Sequence, residues 1–143
     1  MLSKKTKYAM NALTYLAKRQ EEGPVLISKI SEDQNIPQKF LEAILLDLKN
    51  AGYLNSKKGR GGGYYLIKDI EEVNMADIMR LFDGPIALLP CVTYKYYERC
   101  EECEDEETCG IRDVILELRN ETVAQLKQAS LKEILNRENK LSK

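Results

Sequence analysis

Histidine is absent from this 143-residue sequence, so no imidazole is available as a metal ligand. Long apolar runs are absent too: nothing approaches the roughly 20 residues that a membrane-crossing helix requires, and no membrane partner is expected. The net charge is only -1, which by itself neither demands nor excludes a polyanionic partner. No cysteine lies outside residues 91–109, and no βαβ pattern surrounds the four that lie within them. That setting argues against a small thiol oxidoreductase using Cys100-x2-Cys103, and no enzymatic activity is expected. The basic start, Met1 to Lys7, passes into an amphipathic pattern rather than an apolar run with a cleavage site, so a cytoplasmic location is expected. In that reducing compartment four cysteines are free, redox-active or metal-bound rather than permanently bridged.

What is present is ordinary globular composition, 43% hydrophobic and 31% charged, in a length that suits one domain, or one compact domain with an appended arm. The periodicity predicts a mostly α fold. From Ser3 to about Arg19, Tyr8, Ala9, Ala12, Leu13 and Leu16 recur at helical steps, with Ser3 as the cap. A short helix fits Ile27 to Gln34, carrying Ile27 and Ile30 inward, before a turn at Asn35-Ile36-Pro37. A third runs to about Asn50, with Phe40, Leu41, Ile44, Leu45 and Leu48 expected inward and Gly52 as terminator. Tyr53–Lys58, Gly59-Arg60-Gly61-Gly62-Gly63 and Tyr64–Ile67 read as a glycine-tipped β-hairpin. Asn74 caps a helix over Met75–Phe82. The cysteine segment follows, then a long helix from Ile111 to about Gln128 with Ile111, Ile115, Leu118, Thr122 and Leu126 along one stripe, and a short last helix around Leu131, Ile134 and Leu135.

Charge is divided along this order. Residues 1–60 hold 11 Lys+Arg against 6 Asp+Glu, and the remainder holds 11 against 17. The front half is therefore the one suited to phosphates. Two short helices joined by a tight turn and followed by a cationic hairpin make a winged helix-turn-helix. Its second helix enters the major groove, so the outward Gln38, Lys39 and Glu42 are the candidate base readers. Lys57, Lys58 and Arg60 surround the wing tip, where a cation can follow phosphates or enter a narrow minor groove. Lys4, Lys5 and Lys7 open the first helix, near flanking phosphates.

The motifs Lys7-Tyr8-Ala9, Ile30-Ser31-Glu32, Ile36-Pro37, Phe40-Leu41-Glu42, Leu48-Lys49-Asn50-Ala51-Gly52 and Lys58-Gly59-Arg60-Gly61-Gly62-Gly63-Tyr64 carry a resemblance. Over nearly its whole length the sequence resembles the IscR/NsrR type of winged-helix transcription regulators. The resemblance implies a homodimer gripping a roughly palindromic double-stranded DNA operator. It also implies Lys39 and Glu42 at base-reading positions and Lys58 at the minor-groove position of the wing. Two residues depart from the type: Ala43 is short where some relatives carry a longer polar reader, and Leu26 stands where a Ser or Thr cap often precedes helix two.

The cysteines run Cys91-x8-Cys100-x2-Cys103-x5-Cys109 in a loop-like stretch. Thiolates are soft ligands, and four of them suit an iron-sulfur cluster or a tetrahedral zinc. Relatives of the resembled type hold an iron-sulfur cluster with three cysteines in this interval, the last two about five residues apart, as Cys103 and Cys109 are. The third corresponds to Cys100 or to Cys91. A fourth ligand used by some relatives, a histidine or an acid just before the helix-one tyrosine, is replaced by Lys7 here. The expected ligand set is therefore Cys91, Cys100, Cys103 and Cys109, with redox thiols without metal, or zinc, as alternatives. Seven acidic residues between Glu98 and Glu107 oppose an anionic complex, and Arg99 and Arg112 partly compensate. The expected organisation is a reading head over 1–83, a sensor loop over 84–110, and a dimerisation helix with tail over 111–143. Ordering the loop would move the long helix and so the spacing of two heads. A protein partner, such as an enzyme controlling the head, is a further possible partner.

Overall fold

A computed structural model describes residues 2–142. Helix α1 (Lys4–Lys18) starts where the Ser3 hydroxyl accepts the Thr6 N–H at 3.1 Å, satisfying one of the amides that a helix start leaves unpaired. It is the central helix. Its small residues Ala9 and Ala12 are fully buried, which lets neighbouring elements approach closely, and Leu13 and Leu16 fill the space between them.

Helix α2 (Ile27–Gln34) ends at Asn35, which takes a left-handed conformation with φ of 52°. The chain then reverses as the Ile36 N–H reaches the Ser31 carbonyl at 3.0 Å, and the Ser31 hydroxyl donates to the Ile36 carbonyl at 2.6 Å. Leu26, at the cap position, supplies no side-chain bond. Helix α3 (Gln38–Asn50) follows Pro37 directly, and buries Leu41, Ile44, Leu45 and Leu48 completely. Phe40 departs from its expected inward position, for it is 62% exposed. At about 100° per residue it lies roughly a quarter-turn from the centre of the buried stripe, which is already complete without it.

Strands β1 (Leu54–Lys57) and β2 (Gly63–Leu66) pair antiparallel, Leu54 opposite Leu66 and Lys57 opposite Gly63. The wing is held to the head by Val25, whose N–H and carbonyl each exchange a 2.8 Å bond with Tyr64. That pairing brings the Val25 backbone so near Gly63 that a Cβ there would stand 2.3 Å from it, at a φ of +138°. Helix α4 (Met75–Asp83) is capped by Asn74, which accepts the Asp77 N–H at 3.0 Å.

Irregular chain then leads to α5 (Gly110–Gln128), with one short 3-10 turn over Pro90–Val92. Helix α6 (Leu131–Leu141) extends beyond the short segment expected and packs back on the head. Leu131 is fully buried, its N–H bonds the Val73 carbonyl at 2.9 Å, and Glu138 pairs with Lys18 of α1 at 2.6 Å. One core therefore joins α1, α2, α3, the wing base, α4 and α6. Helix α5 stands apart: Val123 is its one buried residue, while Ile111, Val114 and Leu118 are 72%, 62% and 46% exposed. Among the described residues no helix is long and apolar enough to cross a membrane.

Candidate nucleic-acid interface and cysteine cavity

The buried stripe of α3 dictates what its opposite side shows. Gln38, Lys39, Glu42 and Ala43 are exposed at the N-terminal end of the helix, and the Gln38 amide lies 3.5 Å from the Glu42 carboxylate. Beside this end the wing displays Lys57, Lys58 and Arg60, all exposed. Lys49 of α3 donates to the Ser56 hydroxyl of β1 at 2.7 Å, which ties helix and wing into one surface. The wing tip needs its glycines. Gly59 and Gly61 have φ of +88° and +73°, and a Cβ on Gly62 would meet the Lys57 carbonyl oxygen at 2.2 Å.

Lys4 is exposed in the first turn of α1. Lys5 has other partners: it pairs with Asp47 of α3 at 3.4 Å and lies 5.6 Å from the centre of the Phe82 ring. That ion pair is solvent-exposed and so contributes little.

The fold draws all four cysteines to one cavity of about 470 Å³, lined also by Arg99, Arg112 and Glu106. Spacing alone did not bring Cys91 here. The 3-10 turn over Pro90–Val92 does, and buries that thiol. Cys100 and Cys103 share a turn, the Cys103 N–H reaching the Cys100 carbonyl at 3.2 Å. Cys109 is the N-cap of α5, its sulfur accepting the Arg112 N–H at 3.4 Å. Arg99 clasps the loop by donating to the carbonyls of Cys103 and Glu104 at 3.2 and 3.0 Å.

The Cys100 thiol donates to the Glu102 carboxylate at 3.1 Å, and this bond raises its pKa. Desolvation raises that of Cys103, with Cys109, Glu106 and Asp105 adding repulsion and Arg99 opposing it. Among the described residues no three Cys, Asp or Glu side chains stand close enough together to hold one metal ion. The donor set nonetheless suits a larger soft-metal group in its chemistry, since all four cysteines line one cavity. The Arg112 Nε, buried with no hydrogen-bond partner among the described residues, offers it a counter-charge. Sequence reasoning named Arg112 only for its charge. Its burial depends on how α5 meets the loop.

A reader helix joined by a tight turn to its predecessor and flanked by a glycine-tipped cationic hairpin defines a winged helix-turn-helix regulator of transcription. The chain belongs to the Rrf2 family, whose model, described as an iron-dependent transcriptional regulator, matches residues 2–137. It is 42% identical over 121 residues to an rrf2-like HTH-type transcriptional regulator of Rhodobacter capsulatus, covering 82% of this chain and 81% of that one. It is 30% identical over 135 residues to the HTH-type transcriptional regulator IscR of Photorhabdus laumondii, covering 94% of this chain and 79% of the relative. Among solved structures it resembles CymR, the global cysteine regulator of B. subtilis, with a TM-score of 0.79 and 26% identity over 96% of this chain and 97% of that one. These relatives are named regulators, not enzymes, as expected for this chain.

Proposed function

We propose that this regulator binds a two-fold operator as a homodimer and that an iron-sulfur cluster held by Cys91, Cys100, Cys103 and Cys109 controls the binding. In the head, Gln38, Lys39 and Glu42 address base edges, while Lys4, Lys5, Lys57, Lys58 and Arg60 meet phosphates or the minor groove. The exposed Ile111, Val114 and Leu118 of α5 form the seam with the second protomer.

The observation that carries the sensor is the meeting of four thiols in one cavity at the start of α5. A bound cluster supplies iron-dependent redox chemistry. The chain's own part is to orient the sulfurs, to offset their charge with Arg99 and Arg112, and to link Cys109 rigidly to α5. The family's description as iron-dependent favours this reading over metal-free thiols.

Anaerobic purification with visible absorption and iron and sulfide analysis tests the sensor. Brown, sulfide-containing protein whose duplex affinity changes when the cluster is removed is the expected result. Colourless protein that takes up no iron and sulfide on reconstitution, yet changes affinity on thiol oxidation, would replace the cluster by redox thiols.

A further inference from the structure

We propose that Phe40 reads thymine, its phenyl ring and the Ala43 methyl forming an apolar strip that meets thymine 5-methyl groups in the major groove. This rests on the proposed DNA reading and adds a specificity-determining residue to it. Phe40 is 62% exposed although α3 has a complete buried stripe, so it is not a core side chain that slipped outward. It belongs to the first turn of α3, the end of a reader helix that approaches bases. Ala43, one turn on and also exposed, continues the same side of the helix.

The surroundings select the occupant. Lys39 adjoins Phe40 in sequence, and Lys57, Lys58 and Arg60 stand exposed on the wing tied to this helix. A polyanion suits that field, whereas an apolar protein surface would bury several unpaired cations. The seam available to a second copy lies elsewhere, on α5. Within a DNA groove, an aromatic ring without donor or acceptor has one base-specific partner, since the thymine methyl is the apolar group displayed in the major groove. Gln38 and Glu42 flank the other side of the buried stripe, so polar readout and methyl contact occupy different sides of α3.

The test selects a preferred operator from random duplexes with the full-length protein, then replaces each thymine of a half-site by deoxyuridine, which removes only the methyl. At one or two positions the wild type is expected to bind about fourfold more weakly per methyl lost, the effect of one buried methyl-sized group. Phe40→Ala, whose folding is checked by circular dichroism and melting, binds thymine and deoxyuridine duplexes alike at those positions. Phe40→Leu retains part of the discrimination. Selective, salt-dependent binding that ignores the methyl everywhere, or a Phe40→Ala protein with the wild-type thymine preference, overturns this assignment alone. Failure to select any duplex overturns the DNA reading with it.

Discussion

The Tyr15 hydroxyl donates to the Asp33 carboxylate at 2.5 Å, joining α1 to α2, while the Arg19 guanidinium lies 3.6 Å from the tyrosine ring centre. Burial first, and the Asp33 bond second, push the Tyr15 pKa up to about 12 from the ordinary tyrosine value of 10.0. The folded state therefore holds this proton more tightly than the unfolded one. Its contribution is complete below pH 10.0 and is lost as the pH rises towards about 12. Tyr15→Phe, which has no proton to lose, is expected to unfold less steeply with rising pH across that window, as followed by denaturant midpoints. A wild-type slope in the variant would assign the alkaline loss to other groups, such as the buried Tyr53. At Gly63 the constraint is backbone: Ala adds a methyl 2.3 Å from Val25 at a φ of +138°. Gly63→Ala is expected to destabilise by on the order of 2 kcal/mol and to displace the wing. Duplex affinity then falls more than helical content, and unchanged affinity would show that the wing does not contribute to DNA binding.

At the scale of elements, boundaries were legible where a local rule fixes them. Ser3, Asn74 and Gly52 have capping or terminating chemistry that acts within a few residues, and the structure places helix ends beside each. Phe40 shows that hydrophobicity alone does not imply burial, for its angle around α3 lies off the stripe formed by Leu41, Ile44, Leu45 and Leu48. The return of α6 was not legible, since the bond from the Leu131 N–H to the Val73 carbonyl joins residues 58 positions apart and no local pattern records it. The cysteine segment has no periodicity, so spacing named the thiols, whereas the turn that buries Cys91 required the fold. Helix α5 was read as an amphipathic stripe whose cover is not in its own chain, and Val114 adds to that stripe. Val114→Glu with Leu118→Glu is expected to shift sedimentation from dimer to monomer. A dimer unaffected by both charges would place the seam elsewhere.

For the whole molecule, the division of charge matters more than its sum. A dimer carries twice a net charge of -1, so no overall field draws it to DNA. Attraction must come from the heads, within the roughly 8–10 Å over which charges act at physiological salt. Binding should therefore depend on salt through the few cations at the surface of α3 and the wing, and little through the acidic cysteine loop. Lys58 is exposed and occurs once in each protomer, so Lys58→Ala removes two phosphate contacts from a dimer seated on both half-sites. The slope of log affinity against log salt is then expected to fall in magnitude by about 1.8. The loss should be similar for specific and unrelated duplexes, because a phosphate carries no sequence. Glu42→Gln, in contrast, should change the order in which duplexes are preferred while leaving that slope nearly intact. Anisotropy titrations of both variants at several salt concentrations separate the two roles. A slope that falls by half the expected amount would mean that one wing at a time engages the operator, and an unchanged slope would remove Lys58 from the interface.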